Sequence, residues 1–199
     1  MLAAGLTAEF DLSGVPGFFR LEKEWKLNLY GGGFLIPVRD RYRRIQGLQV
    51  RTDRGRPKYF WLSSADKPRG ASSGAPAHFA KPLRTGITGE VVITEGALKA
   101  EIIAEHTPHA VVGLPGVGAF TLDFGERLKK ALPFLQHAVI AFDMDWQVKP
   151  GVRRQLERLT ETLEAAKLAV TIQTWPPELG KGYDNYLLGL NGANHTIGI

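Results

Sequence analysis

The 199-residue sequence contains no cysteine, which excludes disulfide bridges and any cysteine-ligated zinc site. It also lacks an apolar run of membrane-spanning length. The N-terminal stretch carries acid at Glu9 and Asp11 and has no basic start ahead of an apolar segment, so it does not read as a secretory signal. Cytoplasmic residence, with no membrane partner, is the expectation. What is present is 44% hydrophobic residues, enough for a real core in one ordinary domain or two small ones. The net charge of +5 hides an asymmetry. Residues Arg39 to Arg84 hold 12 Lys/Arg against 3 Asp/Glu, leaving 13 against 17 for the rest. A basic half beside an acidic half suits a binder of phosphate backbones, although lysine and arginine also serve to blunt sheet edges.

The acidic half is organised around Glu90 to Asp145. Val91 to Thr94 and Val139 to Phe142 are apolar runs of strand length that end in acid, at Glu95 in the first and at Asp143 and Asp145 in the second. Such runs read as strands buried on both faces of a parallel sheet, and ligands of these sheets sit outside the carboxyl ends of the strands. Glu95, Asp143 and Asp145 therefore share one edge. Three carboxylates converging there need a positive partner, and a hard divalent cation with oxygen ligands, Mg2+ or Mn2+, is the first expectation. In extended backbone the two acids of Asp-x-Asp project to one side and can share an ion. Gly96 permits a tight turn into a helix. The simpler alternative is that Glu95 caps that helix and the aspartates open a loop.

Around these acids the pattern alternates between strand and helix. Strands are expected at Val91–Thr94, His109–Val112, Ala138–Phe142 and Ala169–Thr174, and helices at Ala97–His106, Leu122–Leu132 and Gly151–Lys167. This order argues a parallel sheet with right-handed crossovers. In the third helix Val152, Leu156, Leu159, Leu163 and Ala166 form one apolar stripe, with an Arg153–Glu157 ion pair expected on the outside. The loop Gly113 to Phe120 lies on the ligand edge, either as a phosphate-facing nest or as a plain turn.

The basic half reads as β-structure. Met1 to Arg20 is expected to be an irregular lead-in, with an aromatic anchor at Gly14 to Phe19. Strands are expected at Trp25–Tyr30, Phe34–Val38, Ile45–Arg51 and Lys58–Leu62. The second and third make a hairpin that places Leu48 and Val50 on one face and Gln49 and Arg51 on a basic, polar one. Tyr59, Phe60 and Trp61 are either base-stacking or core residues, with at least one expected in the core. Lys67 to Pro82, rich in Gly, Ser, Pro and Ala, is the expected boundary or mobile loop.

Glu-Gly after a buried strand, a second strand with a Gly-rich loop, and a strand closing in Asp-x-Asp together resemble the TOPRIM domain shared by bacterial primases, topoisomerases and some nucleases. The resemblance spans about Gly89 to Leu190. F-L-I-P-V-R-D-R-Y-R-R-I-Q-G-L-Q-V-R (Phe34 to Arg51) and P-K-Y-F-W-L-S-S (Pro57 to Ser64) are similar to the basic subdomain that precedes TOPRIM in bacterial-type primases. The resemblance implies an α/β fold with a TOPRIM-like parallel sheet flanked by helices, preceded by a small, basic, mainly β subdomain. The expected division is 1–84 and 85–199. In G-K-G-Y-D-N-Y-L (Gly180 to Leu187), Asp184 matches a further acid of the primase site, while Gly182 and Asn185 stand where acids are usual and Lys99 stands where primases have Asp. The zinc ribbon that such primases carry ahead of this core has no cysteine ligands here.

By this resemblance the expected activity is metal-dependent nucleotidyl transfer on a single-stranded DNA template. Glu95, Asp143 and Asp145 are the expected catalytic acids and metal ligands, and Asp184 is an auxiliary ligand. Arg39, Arg51, Lys58 and Tyr59 would hold nucleic acid, and Lys99 and Lys181 would touch phosphate. The expected partners are single-stranded DNA, nucleoside triphosphates and a replicative helicase domain or protein, and the expected setting is a replication protein of a mobile element. A TOPRIM-type nuclease and a non-catalytic binding module are the alternatives. The missing acids favour one firmly held ion over two.

Overall fold

Short alternating segments in the first half of the chain form antiparallel strands. β1 (Phe18–Leu21) pairs with β2 (Glu24–Leu27), and β3 (Gly33–Arg39), β4 (Ile45–Thr52) and β5 (Tyr59–Trp61) form a three-stranded sheet in that order. The computed structural model describes residues 10–29, 32–53, 57–80 and 89–194. The expected lead-in is thus a strand from Phe18 onward. Its four residues show no burial alternation to betray it, and its turn depends on Glu22 at φ 54°. Tyr30, expected to end a strand, lies outside the described residues.

In the three-stranded sheet the predicted faces need one correction. Gln49 is buried, because it lies opposite Trp61, whose ring packs on the adjacent Gly47. Its face is therefore covered along most of its length. Only the cross-strand row Phe34, Arg51 and Tyr59, at the end of that face, stays open. The stretch expected as a mobile loop is pinned where it begins. Ser64 donates its hydroxyl to the Phe18 carbonyl at 2.6 Å, and the Ala71 N–H donates to the same hydroxyl at 3.1 Å.

Contacts divide the chain into two units, Met1–Arg39 with Arg44–Pro76, and Asp40–Arg43 with Ala77–Ile199. The expected division at 84/85 falls outside the described residues. The second unit is a five-stranded sheet built from β6 (His78–Phe79), β7 (Glu90–Glu95), β8 (Ala110–Leu114), β9 (His137–Ile140) and β10 (Ala169–Ile172). The strand order is β10-β9-β7-β8-β6, parallel throughout except for β6 at one edge. Its helices are α1 (Ala97–His106), α2 (Phe124–Ala131), α3 (Pro150–Ala165) and α4 (Tyr183–Asn194). The mixed α/β architecture expected from the alternation is present, with β6 and α4 as additions to it.

Period-two alternation decides which helix covers which face. Val91 and Ile93 point into a core with Phe124 and Leu128 of α2 and Leu156, Leu159 and Leu163 of α3. Val92 points the other way, to Ala100, Ile103 and Ala104 of α1, with Tyr183 and Leu187 of α4 packed against them. Arg153 donates to the Gln147 carbonyl at 2.7 Å in place of the helical ion pair expected with Glu157. Among the described residues no helix is long and apolar enough to cross a membrane.

β7 leads to β8 on one side, and the chain then returns to β9 on the other side of β7. The β7–β9 crevice is consequently the topological switch point, where an open α/β sheet leaves room for a ligand outside its carboxyl ends. Close backbone packing shapes the neighbouring crevice. A Cβ added at Gly113 would lie 2.6 Å from the Gly96 carbonyl oxygen, and Gly96 itself sits at φ 86°. Gly113→Ala should therefore cost about 1–3 kcal/mol, because two backbones have to part. Chemical denaturation reads this directly, and an unchanged midpoint would contradict it.

Candidate active site at the carboxyl edge of the sheet

Glu95 is the last residue of β7, and Gly96 begins the turn into α1 with its N–H donating to the Leu114 carbonyl at 2.6 Å. The Thr94 hydroxyl donates to the Ala141 carbonyl at 3.1 Å, and the Ala141 N–H donates to Ile93 at 2.8 Å. These bonds hold the end of β7 against the extension of β9, so Glu95 and Asp143 emerge from adjacent strands. Asp143 is buried, at 9% exposure.

Asp145 does not follow in extended backbone, as the Asp-x-Asp spacing suggested. Met144 is buried and opens a 3-10 turn, Met144–Gln147, that contains Asp145. The two aspartates are nevertheless gathered by one ammonium: Lys181 Nζ lies 3.2 Å from Asp143 Oδ2 and 3.2 Å from Asp145 Oδ2. Lys149 holds Asp145 Oδ2 at 2.7 Å, and Lys99, in the first turn of α1, donates to Asp143 Oδ1. The segment carrying Lys181 and Asp184 is fixed by aromatic packing. Trp175 packs against Tyr183 and Tyr186 with ring centroids 5.3 and 6.0 Å away, and its indole N–H donates to the Gly180 carbonyl at 2.7 Å. Asp184, at the start of α4, is 8% exposed, and its Oδ1 has no hydrogen-bond partner among the described residues.

The electrostatics follow from this packing. Burial pushes the Glu95 carboxyl above its usual range; Lys99 offsets part of the rise, while Asp143 and Asp145 add to it. For Asp145 burial acts upward too, but hydrogen bonds from Lys149 and Lys181 win and hold its carboxyl low. Hydrogen bonds to Asp143 and Asp145 raise Lys181.

A resident divalent cation needs several carboxylate oxygens free to face one centre. Here Asp143 gives one oxygen to Lys99 and the other to Lys181, and Asp145 Oδ2 is taken by Lys149 and Lys181. Among the described residues no group of three or more His, Asp or Glu is arranged to hold a metal ion. Glu95, Asp143 and Asp145 lie at one edge of the sheet, but as they stand they do not fit such an ion.

The Gly-rich loop is a turn closed by the Ala119 N–H on the Gly116 carbonyl at 2.9 Å, and buried Phe120 anchors its end beneath the Arg158 guanidinium. Part of the expected basic patch is also committed to structure. Within the second unit, Arg41 donates to the Lys130 and Ala131 carbonyls at the end of α2, and Arg43 donates to the Phe79 carbonyl at 3.1 Å.

In the first unit the Arg51 guanidinium lies between two rings, 5.5 Å from the Phe34 centroid and 5.9 Å from that of Tyr59, with Lys58 5.9 Å from the same Tyr59 ring. Phe34 and Tyr59 are exposed, at 45% and 40%. Arg39 closes β3 beside a register shift. Sequence reasoning missed Phe34, which only the strand register places beside Arg51. It also missed Lys149, whose i,i+4 spacing to Asp145 was the available signal, and the Trp175 clamp.

No curated protein matches the chain. Among solved structures, the zinc-binding and RNA polymerase domains of the Aquifex aeolicus primase match with a TM-score of 0.62 at 18% identity, over 94% of this chain and 45% of that one. A DnaG primase catalytic domain bound to single-stranded DNA matches at 0.60 and 15%, over 93% and 55%. The primase fragment of the bacteriophage T7 primase-helicase protein matches at 0.52 and 18%, over 99% and 71%. The chain spans about half the length of the bacterial primases it matches. Its fold is that of primase catalytic cores. A family profile described as "Domain of unknown function (DUF3854)" matches residues 84–194, more than half of the sequence and all of the site built on Glu95, Asp143 and Asp184, and the chain belongs to that family.

Proposed function

We propose that this chain is a primase-like nucleotidyltransferase core that extends a nucleic-acid strand on a single-stranded DNA template. The observation carrying this reading is the convergence of Glu95, Asp143 and Asp145 with Lys99 and Lys181 at the switch point of a primase-fold sheet. Glu95, held high by burial, accepts the proton of the attacking 3′-hydroxyl. The new O–P bond forms at the α-phosphorus, the bridge to the β-phosphate breaks, and pyrophosphate leaves with the electron pair. Lys99 and Lys181 neutralise charge gathering on the phosphoryl oxygens, and Asp143 and Asp145 hold those two ammoniums in place. The triphosphate brings Mg2+ or Mn2+ as its own counter-ion. The row Phe34, Arg51 and Tyr59, with Lys58, supplies stacking and charge for the single strand, and Arg39 adds charge to it. A replicative helicase is the proposed partner, in keeping with the primase-helicase among the similar folds.

Incubation with nucleoside triphosphates, Mg2+ and a single-stranded template should yield labelled oligomers with the wild type and none with Asp143→Asn. Template cleavage without nucleotides would move the assignment to a nuclease. Because its lysines already satisfy Asp143, a phosphate-binding module without turnover is the second reading. Tight single-strand binding with no product on any template would establish that one.

A further inference from the structure

Lys99 and Gly182, which both stand where the resemblance to primases implies an acid, meet in space. A Cβ at Gly182 would overlap Asp184 Oδ1 and would lie 3.1 Å from Asp143 Oδ1 and 3.4 Å from Lys99 Nζ. An acidic side chain at 182 would compete for the volume that the Lys99–Asp143 pair now fills. The absence of a side chain at 182 thus leaves the room in which Lys99 reaches Asp143, and the ammonium puts a positive charge where an acid would add a negative one. Lys181, the neighbour of Gly182, adds a second ammonium on the other oxygen of Asp143 and ties in Asp145.

The result is an acid cluster that carries its own counter-ions. Without the three ammoniums, Glu95, Asp143, Asp145 and Asp184 would hold four negative charges, and a divalent cation would be needed to relieve them. With Lys99, Lys149 and Lys181 in contact with the aspartates, little charge is left to attract one. Asp184 Oδ1, buried beside Gly182, has no hydrogen-bond partner among the described residues and is an acceptor open to such an ion once the ammoniums are removed.

We infer that Lys99 and Lys181 stand in for a resident divalent cation in this chain, so that the free protein keeps its acid site assembled without a bound metal. The inference concerns the site of the proposed reaction, but its test uses no nucleotide and no template. It can therefore stand or fall apart from nucleotidyl transfer.

Mn2+ binding, followed by the spectroscopic signal of the free ion, should show no stoichiometric site in the wild type. Millimolar Mg2+ should leave its melting temperature unchanged. Lys99→Met/Lys181→Met should bind one Mn2+ at least tenfold more tightly than the wild type and should melt higher in Mg2+. Adding Asp143→Asn to that variant should remove both gains. Lys181 is 65% exposed, so Lys181→Met is safe for folding and should show a severalfold gain by itself. If the double variant does not fold, this single variant decides. A wild type that binds Mn2+ as tightly as the lysine variants, or lysine variants that gain nothing, overturns the inference. Should the gain appear while no oligomer is ever made, the inference stands and the nucleotidyltransferase reading fails.

Discussion

Glu95→Gln is expected to lower templated synthesis by about 10²–10⁴-fold, the usual contribution of a positioned general base, while leaving single-strand affinity within about twofold. The amide keeps the shape of the side chain at the end of β7 but cannot take a proton. Burial is the main reason the Glu95 carboxyl titrates above its ordinary 4.5, and this adds two pH signatures. A base must be ionised, so activity should fall as pH drops through the raised value. Stability should move the opposite way. The folded protein holds the Glu95 proton more tightly than the unfolded chain does, so the stability this gives is present below 4.5 and lost as pH rises through the raised value. Glu95→Gln should remove that loss and be the more stable protein at neutral pH. A variant as active as the wild type, with an unchanged acid limb, would take Glu95 out of the chemistry.

Replacing Arg51 and Tyr59 together by Ala should weaken single-strand binding by roughly 10²-fold, since each base stacked on an aromatic or guanidinium plane is worth about 1–3 kcal/mol. The two single variants should separate stacking from charge. Tyr59→Ala removes a neutral ring and should leave the slope of log affinity against log salt unchanged. Arg51→Ala should make the slope shallower by about 0.7, the share of one phosphate contact on a single strand. The pair Arg153→Ala and Arg154→Ala, on α3 of the second unit, serves as the control and should change neither quantity. If the control weakens binding and the Phe34–Arg51–Tyr59 row does not, the strand binds elsewhere.

The sequence showed the centre of the parallel sheet well, because β7, β8 and β9 are buried on both faces, whereas β10 at the edge is largely exposed. V-V-I-T (Val91–Thr94) and A-V-I-A-F (Ala138–Phe142) need no partner context to read as strands, and β7 and β9 overlap them. Helix α1 was legible to the residue, since Gly96 before it and Thr107 after it mark a sharp start and stop. Strands β1 and β6 were not. Each is four residues or fewer and forms only because a partner strand offers its free edge, which no local pattern records. Helix α4 was hidden by its two glycines, Gly189 and Gly192, and by a weak apolar stripe, so its place depends on Tyr183 and Leu187 packing against α1.

The site was legible in its acids and illegible in its charge balance. Strand ends predicted that Glu95 and Asp143 would meet. Lys99 and Lys181 were read as phosphate ligands, but no spacing rule says that one Asp143 carboxylate would take both ammoniums. That arrangement needs Lys99 on α1, Asp143 beyond β9 and Gly182 before α4 brought together in three dimensions. The basic hairpin misled in a similar way. Arg41 and Arg43 count toward the basic half in sequence, yet their guanidinium groups are committed to carbonyl oxygens at the end of α2 and on β6.

The most direct measurement is the base composition of what the protein makes. On an oligo-dT template the wild type should incorporate labelled ATP and exclude GTP, on oligo-dC it should do the reverse, and Asp143→Asn should incorporate neither. Incorporation that ignores the template base, or no incorporation by the wild type on any single strand with Mg2+ or Mn2+, would contradict a primase-like core.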